Sequence, residues 1–354
     1  MQSPQTAEPI FGFRRTTAIR TAVVLALLLG LGYLAEYGVG NTLAALVLAV
    51  APVPLWVALS LWLDRFEEEP IRFLVKAFAW GALVSVFVAG IVNGVVQEAT
   101  GSELASAVVS APVIEEAMKG LALVLLFWQQ RDEFDNVTDG LVYASMVGLG
   151  FAMTENVQYY GEALGDGTAA ATVIARGLMS PFAHPLFTAM TGIGLGMARE
   201  SHRPAVRVLA PLAGLGAAIA LHATWNLSAS TGLFLPVYLV LMMPAFGVVL
   251  WVARRSARRE AALLREYLAP YVATGLVQPA ELDELCAPGR RVRRALGVLV
   301  RRGPRAWQRR RRFRRAVAEL AFHRWRDARG LNGDAARAAL REQSYAERVR
   351  ALTT

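Results

Sequence analysis

The sequence predicts an all-α polytopic membrane protein with about eight transmembrane helices and a basic, α-helical cytoplasmic C-terminal region. Three observations lead there. Of 354 residues, 55% are apolar, too many for an ordinary soluble enzyme. The apolar residues gather into eight runs, each near the roughly 20 residues that a helix needs to cross a bilayer. Basic residues then flank these runs on alternate sides only, as the positive-inside rule requires of a chain crossing the membrane repeatedly.

In order, the runs cover residues 17–37, 42–63, 72–97, 104–128, 139–160, 172–198, 206–228 and 232–253. They divide the chain into an N-terminal cytoplasmic tail (1–16), an eight-helix membrane domain (17–253) and an arginine-rich helical tail (254–354). Arg14, Arg15 and Arg20 precede the first run, which lacks a small-residue cleavage site and reads as a retained anchor. Arg65, Arg72 and Lys76 surround the next cytoplasmic connection, Arg131 follows run four, and Arg199, Arg203 and Arg207 separate runs six and seven. The intervening connections, near 36–41, 97–103, 161–172 and 229–231, hold no basic residue. Both termini are therefore expected in the cytoplasm.

Several features read as packing. Pro52 and Pro54 should kink the second run. Glu67, Glu68 and Glu69 ahead of Pro70 look like a solvated connection. Gly192-Ile193-Gly194-Leu195-Gly196 sits inside an apolar run with no strand before it, so it reads as a close helix contact rather than a phosphate loop. Cys286 is the one cysteine, which excludes a disulfide framework and a thiolate metal site.

The net charge of +9 is unevenly spread. From Arg254 onward there are 25 arginines against 10 acids, a balance of +15, so the rest of the chain carries −6. Three or four amphipathic helices are expected there, near 255–274, 279–302, 305–329 and 334–351. Each basic residue near an anionic leaflet is worth about 1 kcal/mol, and no nucleic-acid recognition motif accompanies the charge. Anionic lipid headgroups are therefore the expected partner of the tail, and nucleic acid is not. His202 and His323 read as ordinary surface residues.

The runs from four to seven carry the chemistry. Run four contains Glu115, Glu116 and Lys119; run five ends with Phe151-Ala152-Met153-Thr154-Glu155-Asn156; run six has His184 between Pro181 and Pro185; run seven has His222 and Asn226. A charge at the centre of a membrane helix costs about 2.5 kcal/mol or more and is functional by default. At 1.5 Å per residue Glu115 lies about 16 Å below the outer face, and Glu155 about 24 Å above the inner one. With His184 and His222 at similar depth, these residues should share one outward-opening cavity. Glu115 and Lys119 share a helical face, as do Phe151 and Glu155, and His222 and Asn226. The prolines around His184 should open the backbone there. Neutral imidazoles with a carboxylate suit a divalent metal, zinc above all, with a position open for water. Such a metal supplies hydroxide near pH 7, and a second carboxylate can carry the proton to a leaving amine.

At these residues the chain resembles the PrsW family of intramembrane metalloproteases, related to CAAX prenyl endopeptidases and bacteriocin-processing enzymes. The matching elements are Glu115-Glu116-Ala117-Met118-Lys119, Phe151-Ala152-Met153-Thr154-Glu155-Asn156, His184, and the His222 to Asn226 element, in order and in successive runs. Asp64 to Pro70, leading to Trp80-Gly81-Ala82, also fits, so the likeness covers roughly residues 50–250. The resemblance implies a bacterial inner-membrane endopeptidase that clips a membrane-anchored protein near its extracytoplasmic side, in the founding case an anti-sigma factor. It implies that Glu115 or Glu116 activates water, that His184, His222 and Glu155 hold the metal, and that Lys119 and Asn226 orient groups or stabilise charge. A glutamate-activated water held by the histidines without a metal remains the other form of that chemistry. Two further classes of function use the same residues differently: an ion-coupled transporter with the cluster as its relay, and a non-catalytic scaffold in which these residues are replaceable. No internal repeat supports the transporter.

Overall fold

The computed structural model describes residues 15–63, 66, 69–131, 133–330 and 334–353. Most of the expected N-terminal tail, together with Asp64, Arg65, Glu67 and Glu68, lies outside the described residues. Most of those described are helical, with no strand among them. Two compact units form, one from residues 1–63 and 69–253, the other from 64–68 and 254–354.

The first unit contains α1 (Arg15–Val50), α2 (Val53–Leu63), α3 (Ile71–Thr100), α4 (Ala111–Gln129), α5 (Val137–Asp166), α6 (Ala183–Glu200), α7 (Pro204–Ser230) and the start of α8 (Phe234–Ala273). Five stretches are long and apolar enough to cross a membrane: Thr16–Leu63, Ile71–Thr100, Val137–Asp166, Pro204–Ser230 and Phe234–Ala273. The segments holding α4 and α6 fall short of that mark for physical reasons. The first carries Glu115, Glu116 and Lys119, and the second is interrupted at residues 180–182. Helix α1 is broken at Gly38, whose φ of 73° suits glycine alone. The helix expected to kink at Pro52 is interrupted there, between α1 and α2.

Helix α5 is the axis of this unit. Of its 30 residues 21 are buried, whereas Leu27, Leu31, Val47, Leu178 and Val240 on other helices are exposed. Apolar side chains facing outward around a buried central helix match a solvent of lipid. The helix starts where Asn136 caps it: Asn136 Oδ1 accepts from the backbone N–H of Thr138 (2.6 Å) and Asp139 (3.2 Å), and Asp139 Oδ2 accepts from the N–H of Asn136 (3.0 Å). This reciprocal cap satisfies donors that the first turn leaves open. Arg199 donates to the carbonyls of Phe127 and Phe134, tying the ends of α4 and α6 to the start of α5.

Glycines let neighbours approach α5 closely. A Cβ on Gly140 would overlap the Gly192 carbonyl, and one on Gly192 the Gly140 carbonyl. A Cβ on Gly196 would lie 2.5 Å from Val137 Cα. The Gly192–Gly196 stretch is thus a helix-contact surface, as its apolar setting predicts. Glu69 departs from expectation. It is buried and accepts a hydrogen bond from Tyr143 on α5, so it anchors the start of α3 instead of lying in solvent.

The second unit is a small helical domain with its own core. The end of α8, α9 (Pro279–Cys286), α10 (Pro288–Ala328) and α11 (Ala335–Thr353) enclose Phe66, Leu264, Leu268, Val277, Leu285, Val317, Leu320, Phe322 and Val349. Three expectations are corrected. Helix α8 continues unbroken from Met243 through Ala273; the helix expected over 279–302 is divided after Cys286; and His323 is buried, its Nε2 2.9 Å from the Ala338 carbonyl oxygen. Cys286 is a core thiol donating to the Ala261 carbonyl at 3.5 Å. Burial pushes its pKa up and makes it a poor nucleophile.

Part of the arginine run is structural. Glu284, only 3% exposed, receives Arg310 through two hydrogen bonds, one at 3.1 Å, and Arg294 at 3.2 Å. Removing one partner of a buried ion pair is more harmful than never having had it. Glu284→Ala is expected to destabilise this unit by about 3 kcal/mol, read as loss of proteolytic resistance of residues 254–354 in the intact protein at lower urea.

Candidate active site

Four helices meet at one buried cluster. From α4 come Glu115, Glu116 and Lys119, at most 5% exposed; from α5 Glu155; from α6 His184; and from α7 His222. Two local breaks present them. Pro112 has no N–H to give to the helix, and a π-helical turn, Ser106–Ser110, lies immediately ahead of it; such turns recur at functional sites. On the other side, a second π turn, Val173–Met179, ends at a break over residues 180–182, and α6 begins at Ala183. Pro181 sits in that break. Pro185 instead occupies the first turn of α6, where no helical donor is needed, so it stiffens the entry without opening it. His184 therefore stands at a helix start, close against α5. A Cβ on Gly148 would fall 2.6 Å from Pro185 N and 2.8 Å from the His184 carbonyl carbon.

The polar atoms form one network. Lys119 Nζ lies 2.7 Å from Glu116 Oε1, 3.5 Å from Glu115 Oε2 and 3.0 Å from His184 Nδ1. The closer partner is thus Glu116 at i+3, not Glu115 at i+4. Glu116 also faces His222 Nδ1 at 3.1 Å, and its Oε2 accepts from Thr188 at 3.2 Å. His184 Nε2 lies 2.8 Å from Glu155 Oε2. Arg176 donates to Glu155, and its Nε donates to Asn156 Oδ1 at 2.6 Å. Phe151 lies 4.9 Å from the His184 ring and 3.8 Å from the Lys119 ammonium, and Phe187 stacks on His222 at 4.9 Å.

These partners fix the imidazoles. An ammonium can only donate, so His184 Nδ1 is an acceptor and its Nε2–H points to Glu155. His222 Nδ1–H donates to Glu116, which leaves the Nε2 lone pair beside Glu115 Oε2, 3.8 Å away. His222, with Nδ1 held by a carboxylate and Nε2 open, has the usual arrangement of a metal ligand; His184, its Nε2 held by Glu155, would match it when Nδ1 exchanges Lys119 for a metal. One ligand atom each from Glu115, His184 and His222 lies within 4.8 Å of the others. Three carboxyl groups here face two cationic side chains, so a bound cation would balance the third when it is ionised.

The structure brings together six of the seven residues singled out in the sequence. Asn226 stands apart: its amide donates to the Ala107 carbonyl at 2.7 Å, joining α7 to the turn ahead of α4. Arg176 and Thr188 were not singled out. Arg176 had a signal, a lone arginine inside an apolar run; Thr188 had none.

The family model for PrsW family intramembrane metalloproteases matches residues 69–264, a stretch holding every residue of this cluster. The chain belongs to the PrsW family. It is 36% identical over 138 residues to Protease PrsW of Geobacillus kaustophilus, covering 38% of this chain and 58% of that relative. With Protease PrsW of Bacillus subtilis it shares 28% identity over 198 residues, 55% of this chain and 86% of the relative. With that of Oceanobacillus iheyensis it shares 30% over 155 residues, covering 43% and 69%. No solved structure matches the chain. PrsW membership makes this a bacterial membrane protein of a metalloprotease class, and the donor set of Glu115, His184 and His222 fits a divalent metal.

Proposed function

We propose that the chain is an intramembrane endopeptidase that hydrolyses a peptide bond of a membrane-anchored protein. The observation carrying this reading is the convergence of Glu115, His184 and His222 from three helices on one buried point, within a PrsW family match. Glu115, His184 and His222 would hold the metal, with zinc the best fit to two imidazoles and a carboxylate. When bound, such a metal lowers the pKa of a water and polarises the scissile carbonyl. Glu115 suits this role because its contacts, at 3.5 and 3.8 Å, are the loosest of the cluster. Glu116 is saturated by Lys119, His222 and Thr188, and it positions the first two. Glu155 holds His184 through Nε2 and, as the carboxylate left over from metal binding and from the Glu116 contacts, is assigned to take a proton from water. Aromatic rings over His184 and His222 keep solvent from their faces.

A finer picture follows from the charge distribution. Gly38 divides the long first stretch into two passes, which with the segments around α4 and α6 makes eight crossings. The arginines outside the spans then lie on one side, supporting cytoplasmic termini in the bacterial inner membrane and an extracytoplasmic site. The tail at 254–354 would present its exposed arginines to anionic headgroups. An anti-sigma-factor-like protein is the substrate class that the resemblance supports.

The test uses purified protein in liposomes with a single-span reporter. Wild type should release one cleavage product in a metal-dependent way. Substrate left intact while protons or solute cross the membrane would overturn the protease in favour of a carrier. Glu116→Gln should lower metal affinity about 10–100-fold through loss of its hold on His222, measured by competition with a chelating dye.

A further inference from the structure

A small, partly open cleft lies beside His184, lined by Ala152, Asn156, Arg176, Ser180, His184 and Trp225 among others. Its polar lining is one-sided. Arg176 uses Nε on Asn156 and one terminal nitrogen on Glu155; among the described residues nothing accepts from its other terminal nitrogen, Nη1. Because an arginine can only donate, Asn156 must turn its oxygen toward Arg176, and its NH₂ group has no acceptor among the described residues. The indole N–H of Trp225, a donor with no lone pair to offer, has none either. Ser180 spends its hydroxyl proton on the Ala175 carbonyl at 2.6 Å. Three side chains thus bring unspent donors to one small cleft next to a proposed metal ligand.

These donor atoms are not sealed from solvent, so a ligand that enters the cleft can supply the acceptors they lack. The ligand must be rich in oxygen, and it need not be charged, because Glu155 already offsets the guanidinium. An unwound stretch of polypeptide meets both conditions. A membrane helix must lose its internal hydrogen bonds before a peptide bond can be attacked, and in lipid the freed carbonyls have no water to turn to.

We propose that this cleft binds the backbone carbonyls of an unwound substrate segment beside the scissile bond, through Arg176, Asn156 and Trp225. This rests on the protease reading above, and it assigns these three residues to substrate binding as opposed to bond cleavage.

The experiment replaces single amide bonds by esters, position by position around the cut, in a peptide spanning the reporter's cleavage site. An ester carbonyl is a weaker acceptor. With the wild-type protein in liposomes, one or two positions should lose about five- to tenfold in kcat/KM, mostly through KM. Arg176→Lys and Trp225→Phe, which keep the charge and the ring respectively, should each show that loss on the all-amide peptide and no further loss at one ester position. Binding of the all-amide peptide to the Glu115→Gln protein should weaken by a similar factor when either change is added. Losses that simply multiply at every position, with wild-type cleavage intact, would overturn the cleft's role. No cleavage by wild type at all would overturn the protease reading, and this one with it.

Discussion

Glu115→Gln will abolish reporter cleavage, because it removes a proposed ligand of the metal that would supply the reacting water. The protein should remain folded, since glutamine keeps the volume and the loose contacts of Glu115 cost little to change. Metal content separates the possible roles. If Glu115 is a ligand beside His184 and His222, Glu115→Gln and His222→Ala will both fall below one bound metal per chain, and Glu155→Gln will retain it. Retention by Glu115→Gln with loss in Glu155→Gln would reverse the roles of the two carboxylates. Elemental analysis of the purified variants decides this independently of activity.

Gly148→Ala should inactivate the protein almost as fully by adding a single methyl group against the backbone of His184 and Pro185. That carbon would sit 2.6 Å from Pro185 N, 2.7 Å from Pro185 Cα and 2.8 Å from the His184 carbonyl carbon. All three are backbone atoms, which have no rotamer to escape into, so α6 must shift away from α5. His184 lies on that first turn, and a displacement near 1 Å at a catalytic group can cost about 10²-fold. Gly165→Ala, on the same helix with nothing within 4 Å of its new Cβ, should leave cleavage unchanged and add helix stability. Equal loss in both variants would show that α5 tolerates no alanine anywhere, and the close-approach argument would fail. Unchanged cleavage in Gly148→Ala would show that α6 is not held by this contact.

The comparison of Asn226 with Arg176 shows how far the linear chain can be read. Asn226 lies four residues after His222, one helical turn further along the same face, and spacing alone would take both to the cluster. One turn is about 5.4 Å, and that distance carries Asn226 past the site to Ala107. Arg176 lies near the start of the sixth apolar run, where spacing ties it to no other polar residue, yet it reaches Glu155 and Asn156 on α5. Both outcomes depend on helix rotation and depth, which spacing within one helix does not constrain.

The tail shows the same division. Arginine density suggested separate helices lying on a surface. Apolar residues at Leu264, Leu285, Leu320 and Val349, too widely spaced to be read as one set, close instead around a common core.

What the chain determined by itself was its class and its chemical inventory. Apolar run length sets how many helices can cross a bilayer, and an ionisable residue inside such a run needs partners wherever it lies, so helices and candidate residues were legible without coordinates. Only the tertiary structure decided which carboxylate meets which histidine. Glu116 and His222 are 106 positions apart, and Lys119 and His184 are 65 apart; their meeting follows from where Gly148, Gly140 and Gly192 let helices touch. Contact between helices is a property of surfaces in register, and no single helix carries it.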